Sequence, residues 1–330
     1  MDVFSEGSAS PYGASPRDEQ DKVKEEVLTD DAGAPCKMKK ITILSGKGGV
    51  GKSSITASLA VALSRKHDII CADCDVDAAN LGLALGLKQD DSGKEEMITT
   101  NQKAVFDKDK CISCKKCLES CHFNAISWKD NKPELKQFGC EGCGVCQLVC
   151  PAGAVSLIDV YNAKVGCGKT KYGFSVVSGQ LEMGESGSGK VVAAVKSLAE
   201  KQGNGAEIML IDSAAGIGCP VIASVTGSDY VIAVTEPSSS GFSDLKRALE
   251  VVRHFRIKSG IIINKSDINE EYAEKIEKFA KNHNIKILLK FPYDRCFVDA
   301  LVNMTPVIEY NQKYLPKFNE LIDNLKSELI

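Results

Sequence analysis

The sequence predicts an α/β protein that has a doubly wound, mostly parallel sheet and a small inserted α+β module. Three observations carry this prediction: strands alternate with helices, a glycine-rich turn joins the first strand to the first helix, and dense cysteines interrupt the pattern. Alternating strands and helices are typical of βαβ units, whose strands run parallel. A chain of 330 residues with 43% hydrophobic residues is long enough for one large domain and a smaller one.

The ends of the expected domains follow from changes in composition. Residues 1–37 are rich in Ser, Pro, Gly and acids and poor in apolar side chains. Such a segment cannot offset the entropy of ordering, so we expect a disordered acidic tail. The large domain is expected over 38–100 and 161–330, and the cysteine-rich insert over 101–160.

The elements of the large domain can be assigned in order. The first strand is "KKITILS", a helix follows the glycine turn, and "DIICADCDVD" is the next strand. After the insert, strands are predicted in "YGFSVVSG", "EIMLIDSAAG", "YVIAVTEP", "GIIINKSD" and "IKILLKFPYD", with helices in "VVAAVKSLAEK" and over 241–254 and 270–283. The final helix, in "YLPKFNELIDNLKSELI", has a mixed polar face, which favours packing on the core over anchoring to a membrane surface.

Charge and hydropathy exclude several classes of protein. No apolar run approaches the roughly eighteen residues of a membrane span, and the N-terminus lacks the pattern of a signal peptide. The formal net charge of −3 gives no broad basic face for nucleic acid. We therefore expect a cytoplasmic protein that has no membrane span and does not bind nucleic acid.

The turn after the first strand has the sequence "GKGGVGKS", which fits G-x-x-x-x-G-K-S between a strand and a helix. In this context glycines let backbone N–H groups surround phosphate oxygens, the lysine reaches the β and γ phosphates, and the hydroxyl binds Mg²⁺. The sequence thus predicts a P-loop ATPase domain with a phosphate site made of Gly46, Gly48, Gly49, Val50, Gly51, Lys52, Ser53 and Ser54.

Two further motifs bear on the phosphate site. Asp212 ends an apolar strand, where an aspartate often caps a helix, but beside a P-loop it is expected to hold Mg²⁺ together with Ser53. A second glycine cluster, "GESGSGKV", has Gly184, Gly189 and Lys190 at P-loop spacing but Val191 in place of the hydroxyl. We interpret it as a flexible turn before a helix, with a phosphate contact as the alternative.

The two cysteine runs have the same spacing, C-x₂-C-x₂-C-x₃-C, which is that of bacterial ferredoxins. In such runs the fourth cysteine binds the other cluster. Two [4Fe–4S] clusters are therefore expected, one on Cys111, Cys114, Cys117 and Cys150 and the other on Cys140, Cys143, Cys146 and Cys121. Zinc is the rival, although zinc sites more often use two CxxC pairs.

The remaining candidate ligands have simpler interpretations. Cys71 and Cys74 form a CxxC, but they lie in an apolar strand and are expected to be buried thiols rather than metal ligands. His122 stands where a proline usually follows the first run. It is either a surface histidine or a donor to a cluster sulfur that would make the potential depend on pH.

The motif "GKGGVGKS", with its additional Lys47, resembles the deviant P-loop of the MinD/ParA family, which includes the nitrogenase iron protein. "DCDVDAANLG", "VTEPSSSGFSDLKRALEVV" and "IINKSD" are also similar to this family, although Ala214 and Ala215 stand where prolines are frequent. The resemblance covers about 40–100 and 160–330, and the insert resembles a two-cluster ferredoxin.

This resemblance implies specific roles. It implies an ATP-dependent dimer, either a homodimer or a heterodimer with a related ATPase, in which Lys47 reaches the partner's site. Asp75 would orient the attacking water with support from Asp73, while Asn264 would contact adenine beside Lys265.

Together these features predict a Mg²⁺-dependent ATPase that couples nucleotide-driven conformational change to low-potential electron transfer toward a redox partner protein. The alternative is an ATPase that assembles or carries iron–sulfur clusters. The eight cysteines complete two closed sites, which favours electron transfer over delivery. A positioning or partition ATPase is the third hypothesis, and it leaves the cysteine runs unexplained.

Overall fold

A computed structural model describes residues 38–88, 93 and 95–329 of the chain. The predicted acidic tail, 1–37, lies outside the described residues. The described strands are β1 Lys39–Ser45, β2 Ile69–Cys74, β3 Glu96–Phe106, β4 Ile126–Lys129, β5 Lys132–Leu135, β6 Val155–Lys169, β7 Ser175–Leu181, β8 Ile208–Ala215, β9 Tyr230–Thr235, β10 Lys258–Ile263 and β11 Lys286–Lys290. The described helices are α1 Lys52–Ser64, α2 Leu81–Ala84, α3 Lys116–Glu119, α4 Val145–Leu148, α5 Ser188–Gln202, α6 Cys219–Val225, α7 Ser239–His254, α8 Glu270–Asn282, α9 Cys296–Val302, α10 Val307–Tyr310 and α11 Leu315–Leu329.

The central sheet has nine strands in the order β11-β10-β9-β1-β8-β2-β7-β6-β3. The seven strands from β11 to β7 pair in parallel, whereas β6 is antiparallel to both β7 and β3. Strands such as β2 and β9 are buried along their whole length, as strands covered by helices on both faces must be. The mostly parallel α/β architecture is thus confirmed.

Helices cover both faces of this sheet. Helices α1, α2, α9, α10 and α11 share one hydrophobic core with β1, β2 and β8–β11. Helices α5–α8 pack on the opposite face in two further cores. Phe318, Leu321 and Leu325 of α11 are buried, so the C-terminal helix packs on the core as predicted. Within the described ranges, no helix is long and apolar enough to cross a bilayer.

Strands β3 and β6 form a long antiparallel pair, which we call the arm, at one edge of the sheet. Positions 101 and 160, the expected limits of the insert, fall inside these two strands. The alternating burial of β3 gives it a weak apolar signal, because most of its side chains are exposed or half-buried. The sheet therefore continues into the insert without a break.

Residues 107–154, which we call the cysteine module, lie at the end of the arm. They contain the antiparallel pair β4–β5 and the short helices α3 and α4. The module has its own small core, in which Ile126, Cys117 and Cys146 pack with Ala104 and Val155 of the arm. The module is thus a compact α+β unit that is anchored on the arm.

Candidate functional site

The glycine turn between β1 and α1 is held in a conformation that requires glycine. Gly49 and Gly51 have φ of +78° and +92°, which side chains disfavour. A Cβ on Gly51 would overlap Asn264 Nδ2, and one on Gly46 would overlap the backbone of Asp244 in α7. The loop can therefore follow this path only because these positions lack side chains.

Asn264 and Lys265, which follow β10, hydrogen-bond to backbone carbonyls of the P-loop. Asn264 is 4% exposed, and its Nδ2 donates to Val50 O at 2.7 Å while its Oδ1 accepts the Lys265 backbone N–H at 3.0 Å. Lys265 Nζ donates to Gly49 O at 3.2 Å. The Asn264 side chain, expected from the family resemblance to contact adenine, is thus bonded to the P-loop itself.

The lysine and hydroxyl at the start of α1 meet the carboxylates of Asp75, which follows β2, and of Asp212, which was expected to end its strand but lies inside β8. Lys52 Nζ lies 3.0 Å from Asp212 Oδ2 and 4.0 Å from Asp75 Oδ2. Ser53 Oγ donates to Asp212 Oδ2 at 2.7 Å. Four predicted site residues therefore meet at the carboxyl edge of the sheet, around a centre where phosphate and a divalent cation can be bound.

Thr56 is a site residue that the sequence analysis missed. Its Oγ1 donates to Asp212 Oδ1 at 2.8 Å, so Thr56 and Ser53 hold the two oxygens of this carboxylate. Thr56 follows Lys52 by four residues, and this spacing puts both side chains on one face of α1. That periodicity is the signal that could have identified it.

Asp73 is fully buried beside Asp212, its partner in the register between β2 and β8. Burial and the nearby Asp212 charge raise the pKa of Asp73 to about 7. Its carboxylate accepts the N–H groups of Leu81 at 2.8 Å and Asp75 at 3.2 Å. Burial also raises the pKa of Asp75, against the lowering effect of Lys52. Asp73 thus orders the segment that carries Asp75.

Lys47 contacts its own chain through Glu236, a second residue that the sequence analysis missed. Lys47 Nζ lies 2.7 Å from Glu236 Oε1 and 3.1 Å from Ser240 Oγ. Glu236 Oε2 accepts from Lys265 Nζ at 2.8 Å. Burial alone would raise the pKa of Glu236, but hydrogen bonds from the two lysines bring it below its ordinary value. Glu236 therefore links the second lysine of the P-loop to the loop after β10.

The other predicted members of the phosphate site continue the same turn. Gly48 is exposed and has open space where a Cβ would stand. Ser54 lies half-buried in the first turn of α1, and its carbonyl accepts the Ser58 hydroxyl at 2.9 Å. Residues 46–54 thus form one continuous cradle that ends at the beginning of a helix, where backbone N–H groups attract anions.

The eight cysteines of the cysteine module line two separate cavities. The first cavity is lined by the thiols of Cys111, Cys114, Cys117 and Cys150. The second is lined by those of Cys121, Cys140, Cys143 and Cys146. Each set takes three thiols from one run and the last thiol from the other. This is the grouping expected from the run pattern.

The chemistry of these cavities can be compared with that of the two candidate metals. In the part of the chain that the structure describes, no three His, Cys, Asp or Glu side chains converge as one metal ion requires. Apolar side chains such as Trp128 and Leu135 complete the walls, and backbone N–H groups of Ala125 and Ala154 donate to Cys121 Sγ and Cys150 Sγ at 3.3 Å. Four thiols around each cavity, with N–H groups directed at two of the sulfur atoms, are a donor set that an iron–sulfur cluster can use.

The second glycine cluster lies between the arm and the beginning of α6. A Cβ on Gly189 would lie 3.4 Å from Cys219 O, at the beginning of α6. On its other side, Ser186 Oγ accepts from Asn101 Nδ2 at 2.8 Å, and Glu185 forms an ion pair with Lys103 of the arm. Lys190 is exposed. Gly189 and Lys190 thus belong to the first turn of α5 rather than to the predicted turn before it. We call residues 183–190 the linking loop; they contact both the arm and the beginning of α6.

Two further candidates have structural surroundings. Cys71 and Cys74 are fully buried, and burial raises the pKa of both thiols, that of Cys74 to about 12. His122 is exposed, and its ring lies edge-on to Phe123 with the centroids 6.2 Å apart.

Comparisons with known proteins agree with this geometry. The family model of the CobQ/CobB/MinD/ParA nucleotide binding domain matches residues 41–307. An uncharacterized protein of Methanocaldococcus jannaschii is 35% identical over 288 residues, which are 87% of this chain and 96% of that relative. Pyruvate synthase subunit PorD of Methanothermobacter marburgensis is 38% identical over 55 residues, 17% of this chain and 64% of that protein.

The septum site-determining protein MinD of Pyrococcus horikoshii, solved with Mg-ADP, has a similar fold. The TM-score is 0.55 at 20% sequence identity, and the match covers 89% of this chain and 99% of that one. The P-loop, Asp75 and Asp212 lie at one edge of a mostly parallel sheet, in agreement with these matches. The chain belongs to the CobQ/CobB/MinD/ParA nucleotide-binding family and has the fold of a MinD-like P-loop ATPase.

Proposed function

We propose that the protein is a Mg²⁺-dependent ATPase that couples ATP binding and hydrolysis to low-potential electron transfer through two [4Fe–4S] clusters in the cysteine module. The observation that carries the proposal is the pair of four-thiol cavities on an arm whose strands belong to the ATPase sheet. The partial match to pyruvate synthase subunit PorD gives additional support. An ATPase domain does not need thiol cavities, and a cluster-binding module does not need an ATP site. Their presence in one chain therefore points to a function that uses both.

The residues of the cradle have separate tasks in hydrolysis. Backbone N–H groups of the P-loop and the Lys52 ammonium neutralise phosphate charge, and Ser53 and Asp212 hold Mg²⁺. Asp75 lies 4.0 Å from the Lys52 ammonium and is half-buried, so its carboxylate is placed to orient a water molecule. Thr56 fixes the second oxygen of Asp212 and so leaves one oxygen to be shared between Lys52, Ser53 and the metal's water shell.

The thiols of the cysteine module hold the redox groups. A [4Fe–4S] cluster, when bound, accepts and releases one electron at a time, at a potential set by its surroundings. The chain contributes eight sulfur ligands and the N–H groups that hydrogen-bond to them. It also contributes apolar side chains to the walls of both cavities, which lower the polarity around the sulfur atoms.

Two sets of contacts connect the phosphate site to the arm that carries the cysteine module. On one route β8, which carries Asp212, leads into α6, and Cys219 at the beginning of α6 lies beside Gly189. On the other, Val76, next to Asp75, accepts the backbone N–H of Leu181 at 3.0 Å at the end of β7. Both routes enter the linking loop, which holds the arm through the Glu185–Lys103 ion pair. We propose that a change of the phosphate-site loops on nucleotide binding reaches the cysteine module through these contacts.

Lys47 gives the proposal a dimeric form. Its ammonium is held by Glu236 of the same chain, so Lys47 must leave this ion pair to reach the nucleotide of a second subunit. We propose that ATP favours a dimer, either of two copies or with a related ATPase. The γ-phosphate then replaces the Glu236 carboxylate as the partner of Lys47.

The test begins with anaerobic purification, iron counting and electron paramagnetic resonance, with eight irons per chain expected. The rate of electron transfer to an external acceptor is then measured without nucleotide, with ADP, with ATP and with a non-hydrolysable analogue. Under the proposal the rate changes severalfold with ATP, and Lys52→Ala abolishes that change. Equal rates in all four states would refute the coupling, and loss of iron to an apo-acceptor protein would indicate cluster delivery instead.

A matched pair of variants tests the path. Glu185→Gln removes the ion pair between the linking loop and the arm, whereas Glu182→Gln removes the nearby Glu182–Lys164 pair at 3.5 Å. The first variant should reduce the effect of ATP on electron transfer while ATP hydrolysis persists. The second should leave the effect intact. If both variants behave like the wild type, the linking loop does not transmit the change.

A further inference from the structure

The two cysteine runs correspond position by position, yet they differ where the backbone is left-handed. In the second run these positions are Gly142 and Gly144, with φ of +64° and +78°. In the first run they are Ser113 and Lys115, with φ of +59° and +60°. Residues with side chains disfavour this conformation, and glycine adopts it without steric cost. The first run therefore carries a lysine where the fold favours glycine.

Local packing accounts for three of these four residues but not for Lys115. A Cβ on Gly142 would overlap the carbonyl of Gln102. Gly144 has a left-handed backbone, which glycine adopts without steric cost. Ser113 Oγ donates to Asn131 O at 2.7 Å, so its side chain has a structural partner. Lys115 is exposed and lies over the Trp128 ring with its Nζ 5.6 Å from the centroid. A weak cation–π contact at the surface does not require a lysine there.

The residues beside Lys115 show the same asymmetry. Lys116 corresponds to Val145 of the second run, and Ile112 corresponds to Glu141. Among the residues that the structure describes, neither Lys115 nor Lys116 has an ion-pair partner. Ile112 is 65% exposed. We call the surface formed by Ile112, Lys115 and Lys116 the lysine face.

The charged side chains that line the two cavities are opposite in sign. Lys115 is the charged residue that lines the first cavity, and Glu141 is the one that lines the second. The formal net charge of the whole chain is −3, so an acidic protein is repelled by the molecule at long range except where cations are concentrated. An exposed apolar side chain beside two unpaired cations is a suitable contact for such a protein.

We propose that the lysine face is the docking site of a small acidic electron-carrier protein, which it brings next to the first thiol cavity. This inference rests on the proposed function, because an electron carrier needs a redox group behind the face. The lysines attract the carboxylates of the carrier and orient it, and Ile112 supplies the apolar contact. The conformational cost of Lys115 is the cost of keeping a cation at the rim of the cavity.

The test compares the full-length protein with a variant in which the lysine face takes the residues of the second run, Lys115→Gly and Lys116→Val. The control is Lys66→Gln with Lys201→Gln, which removes two exposed lysines from the ATPase domain. The probe is an acidic [2Fe–2S] ferredoxin, and a basic c-type cytochrome is the probe of opposite charge. Binding is measured by titration calorimetry from about 20 to 500 mM NaCl.

We expect the variant of the lysine face to bind the ferredoxin about tenfold more weakly at low salt, with the difference disappearing at high salt. The control should bind within about twofold of the wild type, and the cytochrome should bind no more weakly to the variant than to the wild type. Carbodiimide cross-linking should join ferredoxin carboxylates to Lys115 or Lys116. Equal ferredoxin binding by wild type and variant, or cross-links confined to other lysines, would overturn the proposal.

Two measurements separate this proposal from the proposed function. The iron content of the variant shows that the cysteine module has folded, and we expect it to be unchanged because glycine relieves the left-handed strain at position 115. If the wild type lacks iron, the proposed function fails. If iron and the effect of ATP are present but ferredoxin binding ignores the lysines, only the docking site fails.

Discussion

Replacing Gly51 with alanine tests how the P-loop is built. Gly51 has φ of +92°, a conformation that costs a residue with a Cβ about 1–2 kcal/mol. Its Cβ would also overlap Asn264 Nδ2, which donates a buried hydrogen bond to Val50 O at 2.7 Å. Losing that bond and leaving the Val50 carbonyl unpaired costs about a further 1–3 kcal/mol. We therefore expect Gly51→Ala to lower the free energy of unfolding by about 2–5 kcal/mol.

Gly205 provides a matched control within the same chain. Its φ is also +92°, but a Cβ there would meet nothing within 4 Å. Gly205→Ala should therefore cost only the backbone term, about 1–2 kcal/mol. The difference between the two substitutions isolates the collision with Asn264.

The assay is urea denaturation of Gly51→Ala, Gly205→Ala and Asn264→Ala, and of the double variant that combines the first and the third. In the Asn264→Ala background the collision is absent, so the cost of Gly51→Ala should fall to that of Gly205→Ala. Equal costs for the two glycine substitutions, or strict additivity in the double variant, would refute the idea that Asn264 supports the loop.

Three further predictions concern buried polar groups. Thr56→Val removes the hydrogen bond to Asp212 Oδ1 and should cost about 1–3 kcal/mol in urea denaturation, whereas Thr56→Ser should cost less; equal losses would show that the hydroxyl is not what matters. Asp73 has its pKa raised to about 7, above an unfolded value near 4, so its contribution to stability is fully present below about pH 4, falls by up to about 4 kcal/mol as the pH rises from about 4 to 7, and changes no further above that. Asp73→Asn should flatten this dependence between about pH 4 and 7, and an unchanged pH profile would contradict the assignment. Lys196 Nζ donates to three carbonyls near the end of α6, at 2.6–3.0 Å. Lys196→Met should therefore lower the free energy of unfolding by about 2–4 kcal/mol in urea denaturation. A loss below about 1 kcal/mol would mean that water replaces the ammonium.

The sequence predicted the parallel sheet and its helices well because each strand is a short apolar run that ends in a recognisable turn. Strands β1 and β2 are buried along nearly all of their length, and the residues that follow them carry the P-loop and Asp75. The meeting of Lys52, Ser53 and Asp212 follows from the parallel order, because the carboxyl ends of adjacent strands lie at one edge.

The features that the sequence did not predict depend on contacts between distant residues. Glu236 and Lys47 are far apart in the chain, and no local pattern relates them before β1 and β9 are known to be neighbours. Strand β3 of the arm was missed for a different reason. Strand β3 is an edge strand with few buried side chains, so it lacks the apolar run that identified the other strands.

The pairing of Phe106 with Val155 has a consequence for how the protein could be taken apart. These two residues face each other across the ladder, and Asp107 N continues it by donating to Ala154 O at 2.8 Å. The polypeptide thus leaves the ladder and returns to it on the same rung. Excising the cysteine module and closing the gap with a tight hairpin turn would shorten the protein and leave the three cores that flank the sheet closed, but it would expose the apolar side chains of the arm, such as Ala104 and Val155, that the module covers.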